Sequence, residues 1–156
     1  MADPEWVLLA YRLPREPSTP RITVWRKLRR LGVVQLVDGL VALPSDPATI
    51  EAFDWLADEV VEASGEAWTF HARPGSKRQH NQLRTQINDA IAKEYRALTD
   101  EASGLTGDAP RRTVERLKRE LRRIQDRDHF GAKGREPARR AVDRLVASSD
   151  VGSAAR

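Results

Sequence analysis

The sequence predicts an α+β fold, a ferredoxin-like βαββαβ sandwich followed by a C-terminal α-helical region. Two observations predict this fold. Through residue 74, short apolar runs alternate with amphipathic segments, and the dipeptide Asp38-Gly39 joins two of the runs as a hairpin turn would. After residue 74, only helical periodicity remains. We therefore expect two domains: residues 1–74 form the α+β domain, and residues 75–156 form a helical, arginine-rich extension with a frayed C-terminus.

The first strand and the first helix have well-marked boundaries. The run WVLLAYRL at residues 6–13 lacks helical spacing and ends at Pro14, which is typical of a buried strand. Thr19 is a suitable N-cap, Pro20 suits the first helical position, and Gly32 is a suitable C-terminal stop. The core-facing side of this helix is predicted to hold Val24, Trp25, Leu28 and Leu31.

The next three elements complete the α+β domain. Residues 33–44, VVQLVDGLVALP, contain two strands around the turn. A helix capped by Asp46 or Ser45 then runs to Gly65, and EAWTFHARP at residues 66–74 alternates as a strand does. A winged helix is the alternative, with residues 20–31 as the recognition helix and the hairpin as the wing. That fold needs a helix directly before the recognition helix, where this sequence has a strand and a proline-rich loop.

Three amphipathic helices are predicted in the second half of the chain. They cover residues 76–102, 110–128 and 135–148, and the segment SDVGSAAR that follows is expected to fray. Each helix has one apolar stripe with which to pack. The stripes are Leu83, Ile87, Ile91, Tyr95 and Leu98; Val114, Leu117, Leu121 and Ile124; and Ala138, Ala141, Val142, Leu145 and Val146.

Basic residues concentrate on two predicted helix faces. Residues 1–74 carry 8 Lys and Arg against 11 Asp and Glu, whereas residues 75–156 carry 19 against 12. This asymmetry suggests a polyanionic partner, and arginine suits phosphate oxygens, although a solvated helix face is the simpler interpretation of either cluster. The candidate DNA-binding residues are Arg15, Arg21, Arg26, Lys27 and Arg30, and, along the face opposite the second apolar stripe of the extension, Arg112, Arg116, Arg119 and Arg123.

Composition excludes several classes of protein. The chain has no cysteine, which excludes disulfides, thiolate catalysis and cysteine-ligated zinc. Asp126, Asp128 and His129 are more typical of a polar helix end than of a metal site. We expect no metal, no cofactor and no enzymatic activity, because no acid, base or nucleophile cluster is evident. No apolar run approaches the roughly 20 residues that cross a bilayer, and the start MADPE lacks signal-peptide features, so a cytoplasmic protein without a membrane partner is expected.

Three stretches of the first half resemble one family. YRLPREPSTPR at residues 11–21, WRKLRRLG at residues 25–32 and WLADEVVEASGEAW at residues 55–68 resemble the N-terminal region of the ChrB family of bacterial chromate-resistance regulators. The resemblance implies a cytoplasmic transcriptional regulator of a chromate-efflux operon that binds DNA through basic residues of this region. Full-length family members continue into a second domain associated with chromate response, so the resemblance implies either that a separate sensor domain or protein supplies this function or that this member does something different.

Two functions follow as hypotheses. In the first, the chain is a DNA-binding transcriptional regulator and forms a homodimer, since operators are often palindromic. In the second, it is an interaction or oxyanion-sensing module that does not bind DNA. An oxyanion needs two or three converging donors, and Arg12 and Arg73 would supply them if the ends of their strands meet.

Overall fold

The structure, a computed structural model, describes residues 5–155 and has four strands and five helices in that range. The α+β class and the βαββαβ order of the first six elements are confirmed. Two compact units divide between Ile87 and Asn88, inside one continuous helix. The domain boundary at residue 74 stays a prediction. The elements are β1 (Trp6–Arg12), α1 (Thr19–Leu31), β2 (Val34–Val37), β3 (Leu40–Pro44), α2 (Pro47–Glu62), β4 (Glu66–Ala72), α3 (Lys77–Ser103), α4 (Arg111–Arg127) and α5 (Arg135–Ala154).

The four strands form one antiparallel sheet in the order β2-β3-β1-β4. β1 is hydrogen-bonded on both sides, so Leu9 lies opposite Val41 of β3 and opposite Thr69 of β4. β3 lies between β1 and β2, so the β2-β3 hairpin belongs to the sheet and is not a separate wing. The winged-helix alternative is therefore wrong, while the ferredoxin-like assignment stays a prediction.

The core of the first unit lies between one face of the sheet and the helices α1 and α2. Alternate residues of a strand share a face, and in β1 this places Val7 and Leu9 toward the helices. Both side chains are essentially inaccessible to solvent. The core cluster consists of Val7, Leu9, Val24, Leu28, Val41, Leu43, Phe53, Leu56 and Val60.

Residues at the helix ends satisfy backbone groups that the helices leave unpaired. Gly32 adopts a left-handed conformation (φ 76°) after α1, as a C-terminal glycine commonly does. Ser18, one residue before the expected Thr19, is the N-cap residue of α1, but its side chain makes no capping hydrogen bond. Asp46 caps α2 in a reciprocal arrangement: its carboxylate accepts from the Thr49 N–H at 2.8 Å, and the Thr49 hydroxyl oxygen accepts from the Asp46 N–H at 2.9 Å. The sequence therefore located these boundaries to within a residue.

The opposite face of the sheet is covered in part by the start of α3. Trp6 is buried, and its indole Nε1–H donates to Nδ1 of His80 at 3.1 Å. A pocket of about 320 Å³ is lined there by side chains from the sheet and from α3, including Leu8, Leu36 and Leu83. This contact was not predicted, because the helical periodicity after residue 74 indicates only a separate extension.

The second unit consists of α3 from Asn88 onward, α4 and α5. The apolar stripes predicted for these helices are its core, and α4 buries all four residues of its stripe. α5 continues through Ala154, beyond the expected end at residue 148, and the predicted fraying of the terminus stays a prediction. Buried residues of this unit include Ile91, Tyr95, Leu98, Val114, Leu117, Leu121, Ile124, Ala138, Val142 and Leu145.

A buried tyrosine-aspartate pair joins α3 to the loop after α4. The Tyr95 hydroxyl donates to Oδ2 of Asp128 at 2.9 Å, and the backbone N–H of Ala132 donates to Oδ1 at 2.7 Å. The Asp128 side chain is fully buried, and Arg135 lies 3.9 Å from it. Burial and the hydrogen bond to Asp128 raise the pKa of Tyr95. Asp128 is thus a structural acceptor.

Replacing Tyr95 by phenylalanine is expected to lower the free energy of unfolding by about 2 kcal/mol, because a buried carboxylate oxygen loses its donor. Urea unfolding followed by circular dichroism measures this loss. Tyr11→Phe is the matched control: within residues 5–155, no hydrogen bond to the Tyr11 hydroxyl is found, so a change below roughly 0.5 kcal/mol is expected. Equal losses in the two variants would contradict a role for the hydrogen bond.

Candidate nucleic-acid interface

Three arginines of the first unit line one groove at the end of the sheet. Arg12 ends β1, Arg15 lies in the loop that follows, and Arg21 lies in the first turn of α1. The groove has a volume of about 650 Å³. We call it the arginine groove; its lining residues are Tyr11, Arg12, Leu13, Arg15, Arg21, Trp25, Gln35, Asp38 and Gly39.

The hairpin turn is held against the end of β1 by the backbone. The Tyr11 N–H donates to the carbonyl oxygen of Gly39 at 2.8 Å. Gly39 has a positive φ of 76°, and a Cβ added there would lie 2.6 Å from the Tyr11 carbonyl oxygen. Only glycine therefore suits both the conformation and the close approach. This turn forms one wall of the arginine groove.

Within residues 5–155, two of the three arginines have no carboxylate partner. Arg15 and Arg21 are exposed, and no ion pair to either is found among residues 5–155. Arg12 donates to Glu66 at 2.9 Å, with both side chains largely in solvent. An exposed ion pair of this kind contributes little to stability. The Arg12 guanidinium can therefore exchange the Glu66 carboxylate for another anion. The arginine groove therefore offers an anionic ligand two guanidinium groups that have no carboxylate partner in the described part of the chain.

Tyr11 and Trp25 provide aromatic surface in the arginine groove. Burial raises the pKa of Tyr11, while Arg21 lowers it and Asp38 raises it, which puts both charges near the phenol. Trp25 was expected to face the core, but 37% of it is exposed and it lines the groove. Trp25 lies four residues after Arg21, so the two side chains share one side of α1. This spacing is visible in the sequence and could have predicted that Trp25 lies beside Arg21.

Lys27 and Arg30 lie at a different groove, between α1 and α2. Lys27 donates to Glu59 at 2.8 Å. This second groove, of about 760 Å³, is also lined by Trp55 and by three carboxylates, those of Asp58, Glu59 and Glu62. Its acidic wall disfavours a phosphate. The predicted basic face of α1 is therefore divided: Arg21 lines the arginine groove, Lys27 and Arg30 line the second groove, and Arg26 is exposed.

In the second unit, the arginines of α4 lie opposite its buried stripe, as predicted. Arg116 donates hydrogen bonds to Glu101 and, at 3.2 Å, to Glu120. The Glu101 carboxylate raises the pKa of the Arg116 guanidinium. Arg112, Arg119 and Arg123 are exposed, and no ion pair involving them is found in the described part of the chain. The row of predicted phosphate contacts is therefore interrupted at Arg116.

The sites considered for a free oxyanion or a metal are not formed. β1 and β4 are neighbours, but they are antiparallel, so Arg12 lies opposite Glu66 while Arg73 follows the other end of β4. Arg73 lies 3.9 Å from Glu5 there. The proposed convergence of Arg12 and Arg73 is wrong because the pairing separates them by the length of the strand. Across residues 5–155, no group of three His, Cys, Asp or Glu side chains with metal-binding geometry is found.

The charges around Tyr11 can be tested by titration. Arg21→Ala is expected to raise the pKa of Tyr11, since the guanidinium stabilises the phenolate, and Asp38→Asn is expected to lower it. Tyrosine-selective ¹³C NMR at alkaline pH measures the pKa, and Tyr95, the second of the two tyrosines, titrates later because burial and Asp128 raise its pKa. Arg26→Ala is the control and should leave the pKa unchanged. If Arg26→Ala changed the pKa of Tyr11 as much as Arg21→Ala does, the geometry of the arginine groove would be contradicted.

Comparison with known proteins identifies the family. A family model described as Protein ChrB, N-terminal, matches residues 21–109, more than half of the chain. Protein ChrB of Cupriavidus metallidurans is 30% identical over 98 residues, which cover 63% of this chain and 26% of that protein. The chain thus aligns with about a quarter of that relative. No solved structure matches the chain. Within residues 5–155, no helix has the length and apolar character needed to cross a membrane. From the family match, we conclude that this chain belongs to the ChrB family and corresponds to its N-terminal domain.

Proposed function

We propose that this chain is the DNA-binding part of a cytoplasmic transcriptional regulator in chromate resistance, and that it acts by binding and not by catalysis. The observation that carries the proposal is the arginine groove. It brings Arg12, Arg15 and Arg21 to one concave surface, and Arg15 and Arg21 have no ion pair within the described range. Family membership supports the choice of DNA as the polyanion and of chromate resistance as the context.

The chemistry of the arginine groove suits a phosphodiester backbone. Guanidinium groups present planar forks of N–H donors to phosphate oxygens, and several such contacts release counterions from DNA. Gln35 adds an amide, and Trp25 adds an aromatic surface. Phosphate contacts set the position of a protein on the duplex, whereas base contacts supply sequence preference. We assign the arginines to the first role.

The exposed arginines of α4 are a second candidate surface in the other unit. Arg119 and Arg123 are four residues apart and lie on the same side of the helix, with Arg112 one turn before Arg116. They retain the predicted role in phosphate contact. Arg116 is expected to contribute less than these residues, since Glu101 and Glu120 already neutralise it.

The double variant Arg15→Ala/Arg21→Ala is expected to weaken DNA binding about tenfold or more at moderate salt. Each phosphate contact contributes roughly 0.9 to the slope of log affinity against log salt, so losing two contacts should reduce the slope by about 2. Fluorescence anisotropy of a labelled duplex from upstream of the gene, across a salt series, measures both quantities. A scrambled duplex of the same length reports sequence preference.

Lys27→Ala is the matched control for this experiment. It removes one positive charge, as each member of the double variant does, but Lys27 is paired with Glu59 beside acidic residues. Its affinity should stay within about twofold of the native value. The double variant Arg119→Ala/Arg123→Ala measures how much of the DNA affinity comes from α4. An unchanged affinity and salt slope in the Arg15/Arg21 variant would refute the groove as the contact surface, and equal binding to both duplexes would refute a sequence-specific regulator.

A further inference from the structure

The first turns of α3 carry a polar surface beside their contact with the sheet. Leu83 lies over the sheet, where it lines the same pocket as Leu8 of β1 and Leu36 of β2. An open groove of about 790 Å³ runs along the outer side of these turns. We call this surface the polar face of α3; its lining residues, all of them exposed, are Lys77, Arg78, Asn81, Gln82, Thr85 and Gln86.

The side chains of the polar face are not used to hold the fold together. No hydrogen bond or ion pair to any of them is found within residues 5–155. Between Glu66 and Asp89 the sequence contains no acidic residue that could neutralise them. The second groove differs in this respect, because three carboxylates line it. The polar face of α3 therefore has amide, hydroxyl and basic groups available to a ligand.

These side-chain types are the ones that recognise base edges in the major groove of DNA. An Asn or Gln amide donates to and accepts from adenine, and an Arg guanidinium donates to O6 and N7 of guanine. Arg78, Asn81, Gln82 and Thr85 fall within an arc of about 100° around the helix axis. Residues 78 to 85 rise about 10 Å along that axis, which matches about three base pairs of stacked DNA. The polar face thus has the chemistry and the length of a short base-reading surface.

The position of α3 places this surface close to the arginine groove. α1 and α2 pack on the opposite face of the sheet, around the core cluster. Gln35 of β2 lines the arginine groove, whereas the next residue, Leu36, lines the pocket under α3. Successive residues of a strand point to opposite faces, so the two surfaces lie on either side of the β2-β3 hairpin.

We propose that the polar face of α3 enters the major groove of DNA and reads bases there, while the arginine groove contacts the phosphate backbone. This inference rests on the proposed function and assigns the source of its sequence preference, which phosphate contacts do not supply. Asn81 and Gln82 are the adenine contacts, and Arg78 is the guanine contact. Asp89, one turn after Thr85, ends the surface because its exposed carboxylate repels phosphates.

Replacing two amides of the polar face by alanine tests the base contacts without changing the charge of the protein. The variant Asn81→Ala/Gln82→Ala should lower the preference for the upstream duplex over the scrambled duplex about tenfold or more. Its slope of log affinity against log salt should stay unchanged, because no cation is lost. Gln79→Ala is the control: it removes an amide of the same helix that lines the pocket facing the sheet, and it should keep the native preference. Fluorescence anisotropy of the full chain measures all these quantities.

The outcomes of this experiment separate the inference from the proposed function. An unchanged preference in the Asn81/Gln82 variant, together with weakened binding in the Arg15/Arg21 variant, would overturn the inference and leave the proposed function standing. Equal loss of preference in the Gln79 control would also overturn the inference. A native chain that binds neither duplex would overturn both.

Dimethyl sulfate footprinting identifies the groove that α3 enters. The reagent methylates N7 of guanine, which lies in the major groove, and N3 of adenine, which lies in the minor groove. At saturating concentration, the native chain should protect guanine N7 within the bound site of the upstream duplex. Arg78→Ala should lose that protection, while Gln79→Ala should keep it. Protection confined to adenine N3, or guanine protection that is unchanged in Arg78→Ala, would overturn the proposal.

Discussion

The burial of β1 is the constraint on which the first unit depends. This strand is hydrogen-bonded on both sides, and Trp6, Val7 and Leu9 are almost completely shielded from solvent. A strand that is paired on both sides and has one face in the core has few alternative registers, because a shift of one residue would move Val7 and Leu9 out of the core. The position of β1 therefore fixes where its last residues, Tyr11 and Arg12, lie, and with them one side of the arginine groove.

The same arrangement explains why the sheet is unevenly covered. α1 and α2 close one face over the core cluster, whereas the start of α3 covers the other face around Trp6. Since Trp6 lies opposite Ala72, this cover lies near the end of β4 and leaves Trp68 and Phe70 in solvent. The exposed aromatics are thus a consequence of where α3 crosses the sheet.

Local signals predicted the elements well, and tertiary contacts were the part that the sequence did not reveal. The Asp38-Gly39 turn, the stop at Gly32 and the cap at Asp46 each act through neighbouring backbone, so a short window of sequence contains them. The Trp6-His80 hydrogen bond joins residues 74 positions apart, and the Lys27-Glu59 pair joins two helices. Periodicity indicates that a face is apolar or basic, but not which other face it meets.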